Sequence, residues 1–134
     1  MTRIVNIMPM AGLGKRFFKS DFHLPKPLIL IKQKPMFIKA AKCMPKSKLN
    51  IFICNKKLVE QYNIKKILSK EFKNKYKLIT VKRTTKGQAN TCLLAKKFLK
   101  KNDKIFIHSC DSFIKFNSRT IKKDLGKFKG IIYT

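Results

Sequence analysis

Short apolar runs that alternate with longer helical patterns are the feature that most limits how this 134-residue chain can fold. Four runs, RIVNIMP, LNIFICN, YKLITVK and DKIFIHSCD, have the length and composition of buried strands, and GIIYT begins a fifth. Between them, KKLVEQYNIKKILSKEF, GQANTCLLAKKFLKK and RTIKKDLGKF have helical spacing. Strands and helices that alternate in this way form right-handed crossovers. The sequence therefore predicts an α/β fold, a Rossmann-like three-layer domain with a mainly parallel sheet.

A single domain is expected over residues 1–134, because no flexible linker, internal repeat or low-complexity segment divides the chain. The segment SDFHLPKPLILIKQKPMF contains three prolines, which predict extended or irregular backbone, and MFIKAAKCM then resumes helical spacing. GIIYT stops inside a strand-like run without a closing helix. The domain is therefore expected to be incomplete at its C-terminus.

The net charge is strongly positive, since 33 Lys and Arg residues stand against 6 Asp and Glu residues to give +27. Such a charge suggests a nucleic-acid partner. Arginine supplies the bidentate contacts that base and phosphate recognition favour, yet lysine dominates here and is spread along almost the whole chain. A solvated lysine surface is therefore favoured, and a basic nucleic-acid-binding protein stays open as an alternative. The arginines are Arg3, Arg16, Arg83 and Arg119.

The cysteines favour buried thiols over a metal site. No CxxC pair is present, and neither His23 nor His108 stands near such a cluster. Isolated thiols fit a reducing compartment. No apolar run is long enough to cross a bilayer, and no small-residue cleavage site follows the N-terminal run. The expectation is a cytoplasmic protein without a membrane segment. The cysteines are Cys43, Cys54, Cys92 and Cys110.

Two glycines and two cations follow the first predicted strand in NIMPMAGLGKRF. Glycine beside paired positive charge is typical of a loop that meets phosphate, and parallel sheets bind ligands at the carboxyl ends of their strands. The loop is not a dinucleotide GxGxxG motif, because Phe17 stands at the third glycine position, and it lacks the GxxxxGK[ST] pattern of a P-loop. Taken alone, it also fits a tight turn with two surface cations.

Further motifs follow this loop in a fixed order: LPKPLI, KPMF, KGQANTCLLAK and SCDSF. The ordered series resembles the nucleotide-sugar pyrophosphorylases (sugar-phosphate nucleotidyltransferases), in particular the branch with PMAGxGSRF, PKPL and KPM near the N-terminus. The resemblance extends over residues 4–134. It implies that the chain is the N-terminal, nucleotide-binding part of a nucleotidyltransferase domain.

The resemblance implies a role for each residue of the glycine loop. Backbone N–H groups of the loop would face the phosphates of a nucleoside triphosphate, and a Cβ at a glycine would block close approach. Arg16 would hold the triphosphate and stabilise the departing pyrophosphate, with Lys15 close by. Gly87 would lie against the base, although a glycine there also fits the simple start of a helix. The residues that would wrap the triphosphate are Ala11, Gly12, Leu13 and Gly14.

Two further residues acquire roles from the resemblance. Lys26, in the PKP segment, would neutralise the α-phosphate and the attacking phosphate, which otherwise repel each other. Asp111 would bind Mg²⁺; its alternative role is a helix cap or turn residue. The implied reaction is in-line attack by a sugar-1-phosphate, or a similar phosphate monoester, on the α-phosphorus of the triphosphate. His108 is expected to fill the core or the surface.

Departures from the family pattern leave several points open. Lys15 stands where Ser or Thr is usual, and Lys86 replaces an acidic residue, so the base is not defined. The family's second metal-binding aspartate and most of its sugar pocket come from a later segment. A truncated chain that is inactive alone, or a non-catalytic nucleotide-binding remnant, is therefore an alternative. The acceptor, the pathway (polysaccharide precursors in the family) and the oligomeric state are also open.

Overall fold

The computed structural model describes residues 2–12 and 24–133. Strands alternate with helices as the sequence predicts, and none of the described helices is long and apolar enough to cross a membrane. The strands are β1 (Ile4–Met10), β2 (Leu30–Ile31), β3 (Lys34–Pro35), β4 (Leu49–Asn55), β5 (Tyr76–Val81) and β6 (Lys104–Ile107). The helices are α1 (Met36–Cys43), α2 (Lys56–Gln61), α3 (Ile64–Phe72), α4 (Gln88–Leu93) and α5 (Ser118–Lys127), with 3-10 helices at Lys26–Leu28 and Leu94–Phe98.

Four of the strands form one parallel sheet, and this arrangement confirms the predicted α/β fold. The strand order is β5-β4-β1-β6, and every neighbouring pair runs parallel. Ile7 of β1 lies in register with Ile51 of β4 on one side and with Ile107 of β6 on the other. Because β1 is flanked on both edges and covered on both faces, all seven of its residues are buried.

Helices cover both faces of the sheet and so complete three layers. Met8 and Phe52 belong to an apolar cluster that also contains buried side chains of α1, α3 and α5. Val5 and Ile51 point to the other face, where they join a second cluster with Ala95 of the 3-10 helix that follows α4. Successive residues of a strand alternate between the two faces, which is why β1 and β4 contribute to both clusters.

The segment after β4 was predicted to form one amphipathic helix, and this prediction is wrong at its centre. Helices α2 and α3 are separated at Tyr62 and Asn63, and the Asn63 backbone is left-handed, with φ of 50°. Asparagine tolerates this conformation better than most residues. The apolar periodicity therefore continues across a point where the helical hydrogen bonding is interrupted.

The GIIYT run was predicted to begin a fifth strand, and this prediction is wrong for residues 130–133, which form no strand. Ile132 is 90% exposed, whereas Tyr133 packs edge-on against Phe116 with 5.2 Å between ring centroids. Extended backbone becomes a strand only when a neighbour supplies its hydrogen bonds. None of the described strands pairs with this segment.

The two edge strands of the sheet differ in character. Exposed lysines occur along and beside β5, at Lys75, Lys77 and Lys82. On β6 the exposed side chains include Ile105 and Ile107, which are 43% and 56% exposed. Lysine on an edge strand discourages pairing with a further strand. Within the described part of the chain, an exposed lysine lies inside β5, at Lys77, whereas the lysine of β6, Lys104, is its first residue and is half-buried.

Candidate functional site

The strand order reverses at β1, and this position creates a crevice in the sheet. The chain runs from β1 outward through β4 to β5 and then crosses back to place β6 on the other side of β1. Parallel sheets bind ligands at such a switch point, outside the carboxyl ends of the strands. Ala11 and Gly12 follow β1 at this edge, and residues 108–112 follow β6. The main-chain N–H of His108 donates to the carbonyl of Ile7 at 3.0 Å, which holds the two segments together.

Lys26 and Asp111 form an ion pair at this edge of the sheet. Lys26 begins the first 3-10 helix, and prolines on both sides, Pro25 and Pro27, restrict its backbone. Both side chains are partly exposed, at 28% and 36%, so solvent and ligands reach the pair. The two residues that the sequence selected separately are therefore brought into contact.

Ser109 is a member of this site that the sequence analysis missed. The Ser109 hydroxyl donates to the carboxylate of Asp111, and the main-chain nitrogen of Asp111 lies 3.5 Å from the hydroxyl oxygen of Ser109. Lys26, followed by Ser109, holds the pKa of the Asp111 carboxyl below its usual value. Asp111 is therefore a carboxylate at neutral pH. The sequence did contain a signal for this contact, because a serine two residues before an aspartate can form a local hydrogen bond with it.

His108 is buried, and this burial confirms that it fills the core. Its ring contacts Phe106 and Phe116, at centroid distances of 5.9 Å and 5.8 Å. Its Nε2 lies 2.9 Å from the carbonyl oxygen of Ser112, and burial lowers the pKa of the imidazole. A neutral His108 donates from Nε2 to that carbonyl and anchors the far end of the turn that carries Asp111.

A groove of about 200 Å³ lies beside the end of β1. The two segments that form it are the glycine turn after β1 and the segment that leads from β5 into α4. A Cβ added at Gly12 or Gly87 would meet no described protein atom within 4 Å, so each glycine leaves open space there. The structure thus brings together three residues that the sequence analysis assigned to the nucleotide. The lining residues are Pro9, Ala11, Gly12, Thr84, Thr85, Gly87, Gln88 and Thr91.

Gly87 also occupies the N-cap position of α4, which confirms the simpler prediction for it, the start of a helix, while its contact with the base stays a prediction. Its backbone has φ of 113° and ψ of 170°, a conformation that residues with a side chain rarely adopt. The other predicted loop residues, Leu13, Gly14, Lys15 and Arg16, lie outside the described residues.

The residues at this edge fit a divalent cation that takes some of its ligands from the protein and the others from a substrate. Within residues 2–12 and 24–133, no group of three or more His, Cys, Asp and Glu side chains is placed to hold a metal. Mg²⁺ is commonly held by one or two carboxylates together with substrate phosphates and water. Among the described residues at this edge, Asp111 is the carboxylate that lies in position for that role.

A second groove, of about 660 Å³, runs beside β6, α5 and the C-terminal segment. It is lined largely by apolar residues such as Phe106, Phe116 and Ile121, and it includes neither the ion pair nor the glycines described above. It follows the open side of β6 and is not confined to the carboxyl ends of the strands. The candidate site is therefore the smaller groove together with Lys26 and Asp111.

A parallel sheet with a cation, a carboxylate and glycine turns at its switch point defines a Rossmann-like α/β protein. More specifically, the chain belongs to the nucleotidyl transferase family, whose sequence model matches residues 6–129. The chain matches no curated protein in sequence.

Solved structures share this fold at low identity. A putative glucose-1-phosphate thymidylyltransferase from Bacillus anthracis, in complex with a sucrose, aligns with a TM-score of 0.72 and 18% identity over 94% of this chain and 51% of its own. A UTP-bound UGPase from Acinetobacter baumannii aligns with a TM-score of 0.63 and 18% identity, over 92% of this chain and 52% of its own. A Mycobacterium tuberculosis protein, Rv0371C in complex with manganese, aligns with a TM-score of 0.59 and 10% identity, over 93% of this chain and 59% of its own. The chain thus spans about half the length of these structures.

Proposed function

We propose that residues 1–134 are the nucleotide-binding part of a sugar-phosphate nucleotidyltransferase. The reaction transfers a nucleoside monophosphate from a nucleoside triphosphate to a sugar-1-phosphate, or a similar phosphate monoester, and releases pyrophosphate. The observation that carries this proposal is the contact between Lys26 and Asp111 at the switch point of the sheet.

The reaction brings two phosphate groups together, and their negative charges oppose the approach. A fixed ammonium group offsets this repulsion and stabilises charge on the transferred phosphate in the transition state. Lys26 is suited to this role because its backbone is fixed between two prolines and its side chain already lies at the ligand-binding edge. No covalent intermediate is required, since alignment and charge neutralisation suffice for in-line transfer.

Asp111 has the complementary role in this proposal. As an ionised carboxylate it would hold Mg²⁺, which neutralises phosphate charge when it is bound. Ser109 donates to Asp111 and so orients the carboxylate. The manganese complex of the M. tuberculosis structure supports a divalent cation in proteins of this fold.

The groove between Gly12 and Gly87 is proposed to hold the nucleoside. Gly12 lines the groove and is followed in sequence by the rest of the glycine loop, where Arg16 and Lys15 are proposed to bind the triphosphate. The UTP in the A. baumannii structure supports a nucleoside triphosphate as the ligand class. Nucleotide binding without turnover is the second candidate, because this chain spans about half the length of the solved structures that it resembles.

Thermal melts with Mg²⁺ and each of CTP, UTP, dTTP, GTP and ATP test the proposal. We expect one nucleotide to raise the melting temperature, with a stabilisation of about 2.7 kcal/mol at a hundred times its dissociation constant. Arg16→Ala should remove the rise, whereas Arg119→Ala, which removes an arginine on α5, should keep it. A cooperative melt that none of the five nucleotides moves would contradict the proposal.

Turnover is tested separately, as pyrophosphate released from the stabilising nucleotide in the presence of sugar-1-phosphates. Release that requires both Lys26 and an acceptor phosphate supports the transferase. Nucleotide binding without release, under every acceptor tried, supports the second candidate.

A further inference from the structure

The carbonyl oxygen of Gly87 receives an unusual concentration of hydrogen-bond donors. The main-chain N–H of Thr91 lies 3.2 Å from it, as expected in the first turn of α4. The hydroxyls of Thr91 and Thr85 also point to it, at 3.1 Å and 3.2 Å. The two hydroxyl oxygens contact each other as well. Three groups from two segments therefore converge on one carbonyl oxygen.

The available protons determine how these contacts are used. Each threonine hydroxyl has one proton, so two protons serve three oxygen–oxygen contacts. A chain in which Thr85 donates to Thr91, and Thr91 donates to Gly87, uses both protons and places the proton-free contact between the Thr85 hydroxyl oxygen and the Gly87 carbonyl oxygen, at 3.2 Å. Thr91 is 4% exposed, and burial favours a fully used hydroxyl. In this arrangement the Thr91 hydroxyl donates directly to the Gly87 carbonyl, and the Thr85 hydroxyl holds the Thr91 hydroxyl in place.

Gly87 needs such support because glycine restricts its own backbone less than any other residue. Its φ of 113° lies in a region that glycine enters and leaves freely. Gly87, Thr85 and Thr91 all line the groove of about 200 Å³, so a rotation of the Gly87 peptide would change the shape of that groove.

We propose that Thr85 and Thr91 are positioning residues, whose hydroxyls hold the Gly87 peptide as one wall of the nucleoside groove. This inference rests on the proposed function, since it assigns the groove to the nucleoside. It also limits which side chains read the base. The hydroxyl protons of Thr85 and Thr91 are donated within the protein, which leaves Thr84 and Gln88 as the other side-chain donors that line the groove.

The test compares Thr91→Val with Thr91→Ser. Valine keeps the shape and removes the hydroxyl, whereas serine keeps the hydroxyl. Thr80→Val is the matched control, because Thr80 is exposed on β5 and lies outside the groove. We measure the dissociation constant of the stabilising nucleotide, its ratio to that of the next-best nucleotide, and the dissociation constant of inorganic triphosphate.

We expect Thr91→Val to weaken nucleotide binding by about tenfold, the scale of one hydrogen bond, and to reduce the preference between bases. Its affinity for inorganic triphosphate should be unchanged, because the wall contacts the nucleoside and not the phosphates. Thr91→Ser should restore both values, and Thr85→Val should give a smaller loss in the same direction.

A Thr91→Val protein that melts at a lower temperature but binds and discriminates nucleotides as before would overturn the inference, since its role would then be structural only. If that variant does not fold, Thr85→Val decides: unchanged affinity and unchanged preference would overturn it. Failure of the proposed function looks different, because the unmodified protein would then bind neither nucleotide nor inorganic triphosphate.

Discussion

Arg3 and Asp103 form a two-point ion pair at the amino ends of β1 and β6, opposite the candidate site. Nε of Arg3 lies 2.8 Å from Oδ1 of Asp103, and Nη2 lies 2.5 Å from Oδ2. The main-chain N–H of Lys100 also donates to Asp103, at 2.7 Å. The side chain of Asp103 is 3% exposed, so water competes little for these contacts. The pair joins the two strands that border the switch point.

Acid should weaken this pair. The hydrogen bond from Arg3 is the main cause that lowers the pKa of Asp103 to about 2, below the value near 4 of an unfolded chain. The stabilisation is therefore complete above about pH 4 and is lost as the pH falls toward 2. Urea unfolding between pH 2 and pH 7 should show that Asp103→Asn lowers stability at pH 7 and flattens the dependence below pH 4. Glu60→Gln, which removes an exposed carboxylate on α2, should keep the original slope; equal slopes for all three proteins would contradict the prediction.

Lys26 and a divalent cation should compete for Asp111, because both bind the same carboxylate. Without nucleotide, Lys26→Ala should therefore bind Mg²⁺ or Mn²⁺ several-fold more tightly than the unmodified protein. The measurement is the rise in melting temperature with metal alone. Asp111→Asn should abolish the rise. Lys46→Ala makes the same charge change between α1 and β4, and it should respond to metal as the unmodified protein does. Equal responses from Lys26→Ala and Lys46→Ala would show that no competition occurs.

Two cysteine thiols should resist alkylation in the folded protein. Burial raises the pKa of Cys54 to about 12 and that of Cys110 to about 11. At pH 8 the reactive thiolate of each is therefore about one part in a thousand or less. Mass spectrometry after treatment with iodoacetamide at pH 8 should find both unmodified in the native protein and modified in guanidinium chloride. Native labelling as fast as denatured labelling would show that these thiols are accessible.

Asn6 and Asn50 lie side by side on β1 and β4 and connect the sheet to two loops. Nδ2 of Asn6 donates to the carbonyl of Pro45 at 2.8 Å and to Oδ1 of Asn50 at 3.0 Å, and Asn50 donates to the carbonyl of Lys75 at 3.1 Å. Asn6→Ala should cost about 1–3 kcal/mol, because the buried carbonyl of Pro45 loses its donor. Urea unfolding measures this cost. Asn74→Ala, at an exposed position, should cost far less, and similar costs for both would contradict the prediction.

The strands of the sheet were predictable because each is an apolar run of the right length, and the pairing of four of them follows from right-handed crossovers. Turns without glycine were not predictable. Lys32 and Gln33 both have positive φ, at 48° and 67°, in the turn between β2 and β3, where glycine or asparagine is the usual signal. GIIYT shows the opposite limit, since strand propensity does not reveal whether a partner strand is present.

In the candidate site, too, some residues were predictable from the sequence and others were not. Lys26, Asp111 and Gly87 were selected from motifs, and the structure brings the first two into contact across 85 positions of sequence. Ser109 and Thr91 lie within the motifs SCDSF and KGQANTCLLAK, but their contributions were missed, because each acts through a hydrogen bond that only the folded chain forms. The roles of all five in catalysis or binding stay predictions until the variants are measured.

The two edge strands of the sheet present different surfaces. Lys77 makes addition next to β5 unfavourable, whereas β6 exposes the apolar side chains of Ile105 and Ile107. These two isoleucines also line the groove of about 660 Å³. The exposed apolar surface of the sheet therefore lies on the strand that leads directly into the turn that carries Asp111.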